Sequence, residues 1–231
     1  MKLNKVLALA LSGVMAVSML AGCSGNSGNG GQEGEGEQTV VTTDAAEVLN
    51  KIQSVVKFDD DATLNGYMAP VETLKPSVVE KLSDNDSVTL LTTNNDAVEA
   101  IMAKMVKEDS DTVKASFDAF NKNGASASNK DDVTNTVFYA VNADKVISIE
   151  HLMTELSSQL TTNKFKTKVN IKTGADAGTY VASYTGAVSI KKATGTDEDG
   201  KTYNAYVVAV SITRTLGDKL EIGRASCRGR V

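Results

Sequence analysis

Apolar residues recur at helical spacing through the first half of the chain and alternate through much of the second. That change of period sets the expected architecture. Across residues 44–57, Ala45, Val48, Leu49, Ile52, Val55 and Val56 share one helical face. Thr43 or Asp44 can cap this helix, Glu47 follows Asp44 by three as in a capping box, and Lys57 suits the negative end of the dipole. A shorter helix is predicted over 75–83, with Pro76 in the first turn, where its missing N–H costs nothing. Residues 87–92 alternate weakly, as a strand does. Residues 95–107 return to helical spacing through Val98, Ile101, Met102 and Met105. The same period continues over 111–121 through Val113, Phe117 and Phe120. Asn123-Gly124 supplies a stop, because glycine accepts the left-handed conformation that ends a helix. Residues 125–132 read as a polar loop.

Beyond this point strands take over. Residues 136–141 form a strand pattern, and 148–160 a last strong helix with Ile149, Leu152, Met153, Leu156 and Leu160 on one face. Residues 166–172 and 179–191 alternate, and Asp199-Gly200 is a preferred hairpin pair. In residues 203–215, Tyr206, Val208, Val210 and Ile212 define one face and Ala205, Val207 and Ala209 the other. Both faces are apolar, which predicts a central strand covered on both sides. Helices early and antiparallel strands late make an α+β fold, with amphipathic helices packed on one face of an antiparallel meander sheet formed mainly by the C-terminal half.

The N-terminus has a different pattern. Lys2 and Lys5 precede an apolar run over 6–20, and Leu20-Ala21-Gly22-Cys23 follows. The run is shorter than the ~20 residues a membrane span needs, and the basic start, short apolar core and small residues are marks of a cleaved signal. The four residues 20–23 resemble the lipobox of bacterial membrane-anchored lipoproteins. The resemblance implies cleavage between Gly22 and Cys23, a diacylglycerol on the Cys23 thiol with further acylation of palmitate type, and a lipid-anchored protein at the extracytoplasmic face of the cell membrane. Each buried methylene of such an anchor contributes roughly 0.8 kcal/mol. Residues 24–38 are rich in Gly, Ser and Glu and hold no apolar side chain to bury, so they read as a flexible tether. The expected organisation is a signal peptide at 1–22, lipidated Cys23 with its tether to residue 38, and one α+β extracytoplasmic domain over 39–220.

The other end changes the count of usable chemistry. Residues 221–231, EIGRASCRGRV, resemble the translation of a short-read sequencing adapter, EIGRASCRERV, departing from it at Gly229. They also bring Arg224, Arg228 and Arg230 into a chain that otherwise prefers Lys. The segment is set aside as one sets aside an expression scar, with the expectation that the natural C-terminus is missing and the domain cut short. Of the two cysteines, Cys23 would carry lipid and Cys227 falls in the suspect tail, so the expected body has no disulfide, Cys-based metal site or Cys nucleophile. The net charge of −5 for the full chain becomes about −9 for the body, with 19 basic and 28 acidic residues left. That acidity argues against nucleic acid as a partner and against electrostatic docking on anionic lipid.

Candidate sites are sparse. Asp61, Thr63, Asn65, Gly66 and Glu72 occupy positions 1, 3, 5, 6 and 12 of a run that resembles an EF-hand calcium loop, in which the oxygens wrap Ca²⁺ and glycine permits the bend. The departures are Thr63 in place of Asp or Asn, and Pro70 and Pro76 bracketing a short exit segment. A polar linker between helices is the competing reading. His151 is the single histidine and lies off its helix's apolar stripe. A lone histidine without cysteines speaks against zinc. The acidic runs 59–61 and 84–86 can bind a hard cation or serve as solvated loops and caps. Tyr180, Tyr184, Tyr203 and Tyr206 can form a ligand platform or pack across strands. No Gly-x-Ser-x-Gly elbow, phosphate loop or dinucleotide fingerprint occurs. The expected function is therefore a non-enzymatic binding or interaction domain in the bacterial envelope, without an obligate cofactor, facing an envelope protein or small ligand. An Asp/Glu-dependent hydrolase or lyase, assisted by calcium, and a structural envelope protein remain the alternatives.

Overall fold

A computed structural model describes residues 45–83, 87–93, 95–121 and 126–220. In chain order these form α1 (Ala45–Ile52), β1 (Lys57–Phe58), α2 (Ala62–Met68), β2 (Thr73–Leu74), α3 (Pro76–Ser83), β3 (Thr89–Leu90), α4 (Asp96–Met102) and α5 (Lys107–Ser110). A 3-10 turn at Phe117–Asn121, β4 (Ser126–Ala127), β5 (Val133–Asn142), a second 3-10 turn at Ala143–Lys145, α6 (Ile149–Ser157), β6 (Lys168–Ile171), β7 (Gly178–Thr196) and β8 (Thr202–Lys219) follow. The fold is α+β, and its sheet comes mainly from the C-terminal half, as the change of period predicts.

The sheet order is β3-β5-β8-β7-β6-β4. Strands β6, β7 and β8 are an antiparallel meander, and β5 adds antiparallel to the far side of β8. The hairpin β7–β8 turns at Asp197–Lys201, where Gly200 has φ of +82°, a conformation that favours glycine. The 19-residue β7 is longer than any one partner on its outer edge. Three short strands tile that edge: β6, and the parallel β1 and β2 at Thr185–Gly186 and Thr194–Gly195. Covering a long edge in pieces removes a row of unpaired N–H and C=O groups that would otherwise template aggregation.

Helices cover both faces of the sheet, not one as the sequence pattern suggests. Val208, Val210 and Ile212 of β8 face a core shared with α1 and α6, through Leu49, Leu152, Met153 and Leu156. Ala205, Val207 and Ala209 face a second core shared with α2, α3 and α4, through Leu64, Met68, Val79, Leu82, Val98 and Ile101. The two-sided apolarity of β8 carried this information. What it did not show is that the early helices divide between the faces. Small residues on the second face let the helices lie close. A Cβ added at Gly195 would overlap Val79 Cγ2 of α3.

Several predicted helices are shorter than their periodicity: those over 95–107 and 148–160 end at Met102 and Ser157, and two more end where other partners take over. The helix expected over 44–57 ends at Ile52 because side chains replace its next turn. Gln53 Oε1 accepts from the N–H groups of Val55 and Val56 at 2.9 and 3.0 Å. Asn50 then clasps Phe58 in the manner of a strand partner, accepting from its N–H at 2.8 Å and donating to its carbonyl at 2.7 Å. The helix expected over 111–121 is not continuous either. Lys114 N–H donates to Thr136 O and Thr136 N–H to Thr112 O, so this stretch is drawn onto the edge of β5. Phe117 and Phe120 keep one side through the 3-10 turn, whose three-residue repeat aligns them. They pack with Phe165 and Tyr184 at centroid distances of 5.1–6.3 Å. The stop expected at Asn123-Gly124 lies outside the described residues.

Candidate functional site

Among the described residues, a cleft of about 310 Å³ lies where α3, β3 and the start of α4 meet at one end of the sheet. Each wall has a local cause. Helix α3 starts at Pro76, which needs no N–H partner, and its last turn is tied to β5 by Asn142 Nδ2 donating to Leu82 O at 3.3 Å. The edge strand β3 is held by Leu91 N–H donating to Phe138 O at 3.0 Å, and Thr89 stands opposite Ala140. Helix α4 begins with Asn95, whose Oδ1 accepts from Ala97 N–H at 3.0 Å as a helix cap.

That cap fixes the chemistry of Asn95. The residue is 2% exposed, and because Oδ1 is committed to the helix, its Nδ2 is left as a donor. This Nδ2 is buried and has no hydrogen-bond partner, and neither has Thr89 Oγ1 on the facing strand. A buried donor left unsatisfied costs roughly 1–3 kcal/mol, so two such groups beside one cleft call for a partner. Lys75 and Lys81 line the same space, as do the hydroxyls of Ser77 and Thr92. Lys75 pairs with Asp96 at 2.8 Å, and this hydrogen bond holds its ammonium above the ordinary lysine range. No carboxylate belongs to the described residues that line the cleft, although the chain as a whole is acidic. Val78, Leu90 and Leu91 add apolar wall, with Leu90 38% exposed.

The residues singled out from sequence lie elsewhere. Cys23 and Gly22, the lipid attachment and cleavage positions, are outside the described residues, as are 84–86 and the tail. Among the described residues no helix is long and apolar enough to cross a membrane. The run resembling a calcium loop is the start of α2. Asp61 caps that helix, accepting from the N–H groups of Thr63 and Leu64 at 2.8 and 3.2 Å. Thr63, Asn65 and Gly66 are inside the helix. Residues two apart on a helix lie on nearly opposite sides, so the geometry does not gather Thr63 with Asn65. Glu72 is pinned at β7, its carbonyl accepting from Thr194 N–H at 2.9 Å. Among the described residues no three His, Cys, Asp or Glu side chains converge.

His151 sits in the first turn of α6 beneath its cap, its N–H donating to Ser148 Oγ at 3.1 Å and its Nε2 3.9 Å from Glu155. Tyr180 and Tyr184 are buried, their hydroxyls donating to Asp176 O and Lys166 O at 2.7 and 2.9 Å. For these two, packing within the sheet replaces any exposed platform. Tyr203 and Tyr206 are half-buried.

Sequence reasoning missed the cleft. It read 75–83 and 95–107 as helices and gave no role to Lys75, Ser77, Lys81, Thr89 or Asn95. Asn95 enters the sequence pattern only as the start of the 95–107 helix; that it caps α4 with its amide nitrogen buried beside a cleft depends on how three elements meet. Compared with protein-family models, with curated proteins and with solved structures, the chain shows no significant match.

Proposed function

We propose that this chain is a lipid-anchored protein of the bacterial cell surface whose α+β body binds a small ligand without transforming it. The observation that carries the binding role is the pair of buried, unpartnered groups, Asn95 Nδ2 and Thr89 Oγ1, beside a cleft of about 310 Å³. Small-molecule sites are concave, partly apolar and fitted with a few placed polar groups, and span about 300–1,000 Å³. The held ammonium of Lys75 suits recognition better than proton abstraction, since a general base must shed its proton near working pH. The sequence Leu20-Ala21-Gly22-Cys23 supports the location, with the tether over 24–38 holding the body away from the bilayer.

Two arms of one experiment test this reading. Cells expressing the chain are fed an alkyne-tagged palmitate, and the protein is purified and screened by thermal shift against a small-molecule library. The expected result is a label that Cys23→Ala abolishes, and hits whose stabilisation is lost on altering the cleft by Leu90→Lys, an exposed position. Label that survives Cys23→Ala contradicts the anchor, and hits insensitive to the cleft variant contradict the site.

A further inference from the structure

Three of the polar groups beside the cleft can only donate, and this bears on what can occupy it. Asn95 Nδ2 can only donate, because Oδ1 is spent on the cap of α4. The two ammoniums, Lys75 and Lys81, also only donate. Thr89 Oγ1 can donate or accept. A ligand that satisfies this set must bring acceptor oxygens, and a negative charge makes the hydrogen bonds roughly twice as strong as neutral ones. Lys75 already shares one carboxylate, that of Asp96, but Lys81 makes no ion pair with any described residue. Val78, between Lys75 and Lys81 along α3, and Leu91 add hydrocarbon to the same lining. The lining therefore combines cationic, donor-rich groups with apolar ones.

We infer that the cleft takes a small organic anion with a single charged head and an apolar body, its head held by Asn95, Thr89, Lys75 and Lys81. The inference rests on the binding role proposed above and names the ligand class. A carboxylate and a phosphomonoester share this chemistry, and their relative affinities separate them.

The test is calorimetric titration of the full chain, reconstituted in nanodiscs of zwitterionic lipid, against matched empty discs. The probes are benzoate, phenyl phosphate, inorganic phosphate and the neutral isostere benzamide. Saturable one-to-one binding of benzoate or phenyl phosphate is expected, at least tenfold tighter than benzamide and than inorganic phosphate. Lys81→Met, an exposed change, should weaken it at least fivefold. Asn95→Asp should weaken it at least tenfold, since Asp keeps the cap but sets an anion where the donor was. Tighter benzoate identifies a carboxylate site, and tighter phenyl phosphate a phosphomonoester site. Benzamide binding as tightly as benzoate overturns the anionic class while leaving a binding cleft intact. Inorganic phosphate matching phenyl phosphate overturns the apolar body. Anion binding insensitive to Lys81→Met overturns the assignment of the head to this side. No binding of any probe overturns the inference and counts against the binding role as well.

Discussion

Asn50 shows how one side chain can end a helix and begin a sheet. Its two hydrogen bonds to Phe58 imitate a strand partner and direct Val56 and Phe58 into the core, where each is 1% exposed. Asn50→Ala leaves both Phe58 groups without that partner and is expected to destabilise by about 1–3 kcal/mol in urea unfolding. A neutral result would mean that water replaces the clasp. Arg214 is the opposite case, a side chain whose charge the fold does not reward. It is 4% exposed, its Nε has no partner, and burial pushes its guanidinium down from the ordinary range, with Tyr184 opposing. A buried donor left unsatisfied costs roughly 1–3 kcal/mol, and an apolar side chain of similar size removes that cost. Arg214→Met is therefore expected to hold or raise the melting temperature, and a clear fall would show that the cation is satisfied by something bound.

At the scale of elements, close approach governs the second face of the sheet. Gly195 on β7 lets Val79 of α3 sit directly against the backbone, with Leu74 Cβ at 3.3 Å from where a Cβ would stand. Gly195→Ala should shift α3 or strain the strand and cost about 1–3 kcal/mol, read as a lower midpoint in denaturant with an unchanged slope. Because α3 is a wall of the cleft, the same variant should also weaken ligand binding. Helices α3 and α4 are tied by Lys75 and Asp96. The Lys75 pKa is raised in the folded state, so the stabilisation is fully present below the unfolded lysine value and is lost as pH rises through the raised folded one. The difference in stability between wild type and Lys75→Met should be flat through neutral pH and shrink only in the strongly alkaline range above about 10. A difference that vanishes near pH 7 would contradict the pairing. Element identity was largely legible from period alone for α3, α4, α6 and the late strands. Element length was not, where backbone groups found better partners elsewhere. The 113, 117, 120 spacing of a helix is outweighed by two backbone hydrogen bonds to β5, and the 44–57 pattern by the side chains of Asn50 and Gln53.

For the whole molecule, the two-sided apolarity of β8 predicted a buried central strand, and the structure places it between β5 and β7 with helices on both faces. The division of the helices between those faces depends on chain crossings that no local pattern records. The same limit applied to function. Asp61, Thr63, Asn65 and Glu72 follow the spacing of a loop, but spacing does not record whether a backbone bends or coils, and residues 62–68 coil as α2. The cleft formed by α3, β3 and α4 has no contiguous signature, since its donors come from segments that meet only when β3 joins the edge of β5. On the proposed reading Asn95 Nδ2 is a ligand donor, held ready by the helix cap that Oδ1 of the same side chain provides. Its direct test is the Asn95 side-chain amide pair followed by ¹⁵N-edited NMR of the full chain in nanodiscs during titration with benzoate and phenyl phosphate. A saturable shift of that pair is expected, fitting the same dissociation constant as the calorimetry. An amide pair that stays still while other resonances titrate would contradict it.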